Sequence, residues 1–183
     1  MARLPLQPQK RVASGMKVRL AEHKDVDAIM RLGVQMHAES RFQVYPMNTA
    51  KTRASIDKII ASPLAGCILL AEHPQGGVVG MLAGYVVDYF FSDALVAQDS
   101  YFFVHPDFRG SPAALKLLIA FRRWAENRSA SELCINMSVD VQQERFNKFM
   151  QHMHFKPCGT NFVLPLKAVP AMPGAQSASA VLQ

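Results

Sequence analysis

The stretch Asp99-Ser-Tyr-Phe-Phe-Val-His-Pro-Asp-Phe-Arg-Gly-Ser-Pro-Ala-Ala-Leu-Lys-Leu-Leu118 decides how the chain is read. Tyr101 to Val104 is apolar and aromatic and has strand character. His105-Pro106 ends the strand, because a residue before proline is held extended and proline has no N–H to pair. Asp107 to Gly110 is a polar turn. Ser111-Pro112 predicts a helix start, with serine as N-cap and proline at the first helical position. Ala114, Leu117, Leu118, Phe121 and Trp124 then recur at spacings of three and four, which keeps one apolar stripe on one face. A strand, a basic glycine turn and a helix N-terminus make a place for an anion. The first N–H groups of the helix have no internal partner, the macrodipole adds partial positive charge, and Arg109 adds a full one. A pyrophosphate is the natural guest. Such junctions are common, so local geometry alone is a weak signal.

The same stretch resembles motif A of the GNAT superfamily of acyl-CoA-dependent N-acetyltransferases, a Val-x-Pro-x-x-(Arg/Gln)-x-x-Gly-x-(Gly/Ala) pattern. Val104, Pro106, Arg109 and Ala114 match it, and Pro112 stands where the family usually has its middle glycine. The resemblance runs from about Lys17 to about Leu166. In His37-Ala-Glu-Ser40, Gly80-Met-Leu-Ala-Gly84 and Arg109-Gly110 it is closest to short acetyltransferases of tailed bacteriophages. It implies an α/β (α+β) GNAT fold, with a mixed, mostly antiparallel sheet and helices on both faces. It implies acetyl-CoA as co-substrate and an amine as acceptor. It also implies a cofactor site. The backbone of Phe103, Val104 and His105 would pair with the pantetheine arm, and one of those N–H groups would polarise the thioester carbonyl. The amides of Arg109, Gly110, Ser111, Ala113 and Ala114 would cradle the pyrophosphate.

Composition is compatible with that reading. A chain of 183 residues, half of them apolar and 19% charged, suits one domain with a single core. No apolar run approaches the roughly 20 residues of a membrane span, and the N-terminus lacks the apolar core of a signal peptide. Cys67, Cys134 and Cys158 are odd in number and far apart, which reads as reduced thiols in a cytoplasmic protein, with no disulfide framework and no metal site. The net charge of +6 comes mainly from the ends. Residues 1–16 contribute three positive charges and 167–183 one, so the central part keeps only +2. Nucleic acid is therefore the less favoured partner.

Residues 1–16 read as a flexible basic arm, 17–166 as the acetyltransferase domain, and 167–183 as a disordered Ala-, Pro- and Ser-rich tail. The closing Ser-Ala-Val-Leu-Gln183 resembles a coronavirus main-protease recognition sequence and is set apart from the fold. Within the domain the patterning predicts strands at Lys17–Ala21, Cys67–Glu72, Val78–Phe91, Tyr101–Val104, Leu133–Val139 and Phe155–Leu166. It predicts helices at Asp25–Met36, from the Asn48 cap to Ser62, from Ser111 to Trp124, and at Gln142–Met153. His37 to Met47 reads as a loop. Gly80 and Gly84 suggest a bulge or a close backbone approach.

Acetyl transfer needs a base for the ammonium, whose pKa lies near ~10.4. Three carboxylates are candidates: Glu39, Asp99 and Asp88. Each also reads as an ordinary solvated charge. Glu39 is preferred, because in GNAT enzymes the loop after the first helix roofs the acceptor. His37 and Ser40 are candidate acceptor contacts on the same grounds, and Tyr89 is one as part of an aromatic patch that could wall the acceptor pocket. The tyrosine acid of many GNAT enzymes is absent, since Met150 and His154 fill the slots of its Tyr-x-x-x-Gly-Phe pattern. A thiol with a pKa of ~8.5 leaves tolerably without it. The aromatic run Tyr85, Tyr89, Phe90 and Phe91 reads as core or as a homodimer surface. Two further readings stay open: a degenerate GNAT fold that only binds acyl-CoA or a protein, and modification of an amine on a nucleic-acid base.

Overall fold

Cys67, Leu69 and Ala71 alternate with Ile68 and Leu70, and both sets are buried. Such a strand must lie between two apolar layers. In the computed structural model, which describes residues 15–136, 143–159, 163, 164 and 166, it does. Five strands follow one another across one sheet: β1 (Lys17–Leu20), β2 (Gly66–Glu72), β3 (Val78–Asp88), β4 (Leu95–Val104) and β5 (Ala130–Cys134). Neighbours are antiparallel except β4 and β5, which run parallel. α1 (Val26–Glu39) and α2 (Thr49–Ala61) cover one face, where Ile29, Met30, Leu32 and Ile56 meet Ile68, Leu70, Met81 and Phe103. α3 (Ala113–Glu126) covers the other, where Leu117, Phe121 and Trp124 meet Leu69, Leu82, Ala97 and Val104. α4 (Gln143–His152) follows β5. The α/β architecture with a mostly antiparallel sheet between helices is the one the sequence implied.

Several boundaries move. α1 runs three residues past Met36, so His37 and Glu39 are helical. Ser40 ends it: it turns to extended backbone, and its hydroxyl donates to His37 O at 3.0 Å and accepts from Phe42 N at 3.2 Å. A 3₁₀ turn, Arg41–Val44, occupies the expected loop. β3 stops at Asp88 and β4 starts at Leu95, so the tyrosine and phenylalanines after Asp88 form a hairpin tip. α3 starts at Ala113. Pro112 sits one place outside it, its carbonyl accepting from Lys116 N at 2.9 Å, while Ser111 Oγ accepts from Ala113 N at 3.2 Å. β5 lies earlier than Leu133–Val139, because the parallel ladder to β4 is made by Ala130 to Cys134. Residues 155–159, 163, 164 and 166 form no strand. The arm up to residue 14, the 137–142 part of the expected fifth-strand region, the 160–162 part of the expected last strand and the tail from 167 lie outside the described residues.

Two glycines shape the sheet beneath α3. A Cβ on Gly84 would stand 2.3 Å from Phe121 Cζ and 2.7 Å from Gln98 O, so only glycine lets that ring lie on the strand. There the ladder slips: Ala83 faces Tyr101, Gly84 faces Asp99, and Ser100 is bulged out. The extra residue switches sides. Ala97 faces α3 before the bulge; Phe102 and Val104 face it afterwards.

Candidate active site

β4 and β5 part company at the bulge. Their ladder runs from Leu95 opposite Ala130, at the hairpin end, to Gln98 opposite Cys134, and no described residue pairs with β4 on that side beyond it. Asp99 braces the divergence. Its Oδ1 accepts from Asn136 N at 2.7 Å and Asn136 Nδ2 at 3.1 Å, which fixes the chain as it leaves β5. The carboxyl is only 6% exposed, and burial raises its pKa against the opposing effect of the Asn136 bonds. One of the three candidate carboxylates is thus bonded to Asn136 at the apex of the gap.

Beyond Asp99 the direction of each amide follows from the ladder. His105 N donates to Val79 O at 2.9 Å, on the β3 side. Antiparallel pairing alternates, so Phe103 also turns its N–H to β3, while Phe102 and Val104 turn theirs into the gap. Of Phe103, Val104 and His105, only Val104 therefore offers an amide there. Phe102, which the sequence reading missed, offers the other. Strand parity decides this, and parity needs the register.

The chain then makes a 3₁₀ turn, Pro106–Phe108, and passes through Gly110 at φ 93°, a left-handed conformation that favours glycine. Three of the five expected amide donors are used internally. Arg109 N donates to Pro106 O, Ser111 N to Phe108 O and Ala113 N to Ser111 Oγ. The N–H groups of Gly110 and Ala114, joined by Leu115, have no partner among the described residues. They lie at the start of α3, where a helix end favours an anion.

Two of the Arg109 nitrogens are committed to other groups. Its Nη2 meets Glu39 Oε2 at 2.5 Å, its Nε donates to Val104 O at 3.1 Å, and its guanidinium lies 5.5 Å from the centre of the Phe103 ring. α1 brings Glu39 to this place. Gln35 and Glu39 are one helical turn apart on one face, and Gln35 Nε2 lies 3.1 Å from His105 Nε2. His37, two residues from each, points about 200° away around the helix. Ser40 is buried, and its hydroxyl is taken up in ending α1. The cation beside Gly110 is Arg145 of α4: a Cβ on Gly110 would lie 3.2 Å from Arg145 Nη2. Only its place in the first turn of α4 hinted at it. Asp88 and Tyr89 are not brought to the site. Asp88 is exposed and pairs with Leu95, nine residues along β4 from Val104, which is about 30 Å away. Among the described residues no group of three or more His, Cys, Asp or Glu could hold a metal, and no helix is long and apolar enough to cross a membrane.

A sheet that opens beside a central strand, with free amides in the opening and a helix start beyond its end, defines a class: transferases that hold an extended acyl carrier along the strand and its phosphates at the helix. A sequence model of the acetyltransferase (GNAT) family matches residues 34–155, and the chain belongs to that family. It is an acetyl-CoA-dependent N-acetyltransferase acting on an amine. No curated protein matches it in sequence. Among solved structures it is similar to aminoglycoside 6'-N-acetyltransferase AAC(6')-Ih from Acinetobacter baumannii (16% identity, TM-score 0.64, 84% of this chain and 99% of that one). It is also similar to glucosamine-6-phosphate N-acetyltransferase from Arabidopsis thaliana (12%, 0.66, 84% and 100%). A third is the ribosomal-protein-alanine N-acetyltransferase from Brucella melitensis biovar Abortus 2308 (19%, 0.63, 82% and 98%). At these identities the likeness is one of fold.

Proposed function

We propose that transfer takes place in the gap beside β4, with the pantetheine arm paired to Phe102 and Val104 and the pyrophosphate on the N–H groups of Gly110, Ala114 and Leu115. The observation that carries this reading is the alignment of two gap-facing amides with the unpartnered start of α3. A thioester carbonyl lying against either amide would find a donor for the oxyanion that forms when the amine attacks. The bond to sulfur then breaks and the thiolate leaves unaided, as its pKa of ~8.5 allows. The acceptor amine approaches from the α1 side. Of the three candidate carboxylates, Glu39 alone stands at this end of the strand. Its charge draws an ammonium, and through water it accepts the proton the amine must lose. His37 and Ser40 shape the rim through the backbone that ends α1. On this reading the chain works in a host cytoplasm, which its sequence resemblance to short phage acetyltransferases supports.

The test is a CoA-release assay over pH. Candidate amines follow the names of the similar enzymes: an aminoglycoside, glucosamine 6-phosphate and a peptide with N-terminal alanine. Glu39→Gln keeps an oxygen for Arg109 but removes charge and basicity. CoA affinity is expected within about twofold of the parent, and turnover lower by roughly 10²-fold with an altered pH profile. Full turnover with the parent's profile would make Glu39 a bystander.

A further inference from the structure

We infer that Gln35 and the His105 side chain are positioning residues for the transfer: together they set where Glu39 stands relative to the Val104 amide. The inference rests on the reading above that Glu39 takes the proton of the amine.

Glu39 is the last residue of α1, and Ser40 leaves the helix as extended backbone. A carboxylate at a helix end goes where the helix goes. One contact at that end leaves the helix free to pivot about it, whereas two contacts a turn apart fix both its slide and its rotation. Among the described residues, two side-chain hydrogen bonds join α1 to the segment from β4 to α3, and they have this form. Glu39 meets Arg109 and Gln35 meets His105, with the partners four residues apart on each segment (39 − 35 and 109 − 105). Four residues are about 6 Å along α1 and close to a full turn, so both contacts leave one face of the helix.

The second contact has a firm base. His105 directly follows Val104, and its N donates to Val79 O at 2.9 Å, so its backbone is held in the sheet. The ring is held as well. Its Nδ1 accepts from Asp107 N at 3.3 Å, and the Phe108 ring lies edge-on with centres 5.9 Å apart. A neutral imidazole carries one N–H. With Nδ1 an acceptor, that N–H is on Nε2, which stands 3.1 Å from the Gln35 amide. The two ends of a side-chain amide exchange by a half-turn, so Gln35 meets the N–H with its oxygen. Gln35 lies at the surface, where such a bond contributes little to folding. Its work is geometric: it ties α1, one turn before Glu39, to the residue beside the gap-facing Val104 amide.

Nitrogen-15 NMR of the histidine rings near pH ~8, where an imidazole is neutral, reads the tautomer without any acceptor, and His105→Gln identifies the His105 signals. A proton on Nε2 is expected, and a proton on Nδ1 overturns the inference. CoA-release kinetics then use the amine turned over fastest among those named above. Gln35→Leu keeps the bulk and loses the acceptor. It is expected to lower kcat about fivefold, with CoA affinity and melting temperature near the parent's. His105→Asn, whose oxygen falls near the Nδ1 position, should lose as much, and His105→Gln, whose amide N–H falls near the Nε2 position, should recover most of that loss. In a Glu39→Gln background, adding Gln35→Leu should cost nothing further, because the pair acts through Glu39. Full kcat in Gln35→Leu, or the same fivefold loss in the Glu39→Gln background, overturns the inference. Full turnover in Glu39→Gln alone would instead overturn the role of Glu39 itself.

Discussion

Asp99 shows how one residue's environment changes its work. A carboxyl near the middle of a family's reactive strand invites a catalytic role, yet here both bonds of its Oδ1 go to Asn136. Burial raises its pKa, so the folded state holds its proton to higher pH than the unfolded chain does. The folded form therefore binds more protons between the unfolded value, ~3.9, and the raised one, and stability falls as pH rises through that window. Asp99→Asn keeps the accepting oxygen and cannot ionise. Its melting temperature should gain on the parent's as pH rises from about 4, whereas Asp99→Ala, which loses both bonds, should cost about 1–3 kcal/mol. Thermal melts of the three proteins across pH check this; a parent–Asn difference that stays flat would show that Asp99 ionises unhindered. Arg19 shows the ordinary case of a paired charge. It bridges Asp25 at 2.6 Å and Glu72 at 2.7 Å, and the guanidinium holds the Asp25 carboxyl down at about 2.

Elements meet through the two glycine positions. α3 presses Phe121 onto β3 at Gly84, and Phe121 is fully buried and stacked on Trp124 with ring centres 5.6 Å apart. The ring has nowhere to go when a methyl group enters 2.3 Å from it. Gly84→Ala should cost about 3 kcal/mol or more, the upper range for an overpacked core. Phe121→Leu, which removes the ring edge, should restore part of that loss when combined with it. A denaturant double-mutant cycle measures the coupling, and strict additivity would mean that the strand moves instead of the ring. The bulge at Ser100, on which the parity of Phe102 and Val104 depends, lies beside the same contact.

At the scale of the molecule, the sheet has a chemical end and an apolar end. The hairpin after β3 leaves Phe90 88% and Phe91 81% exposed, about 30 Å along β4 from Val104. Aromatic rings so exposed contribute little to folding. Phe90→Ser with Phe91→Ser should shift stability by less than about 0.5 kcal/mol and leave CoA affinity as it was. Melting and calorimetry on the double variant test both. A marked loss of CoA affinity would mean that the two ends of the sheet are coupled through β4.

Much was written in the sequence. The apolar alternation of β2, the Asn48 cap that accepts from Lys51 N, and the three-and-four stripe of α3 depend on near neighbours in the chain, so local patterning gave them. The motif from Val104 to Ala114 carried the family, because a strand, a glycine turn and a helix start are adjacent in sequence. Boundaries were harder. Leu95 to Gln98 joins β4 because β3 and β5 offer ladders to it, and Ala130 to Cys134 forms a strand for the same reason. The assignment of each side chain was hardest of all. Arg109 stands five residues after Val104 but meets Glu39, seventy residues away, while Arg145 comes to Gly110 from a different helix. Which amide faces the gap depends on a one-residue bulge, and which arginine stands beside Gly110 depends on where two helices end. Both are settled by packing between segments distant in the chain, and that packing exists only once the sheet has formed.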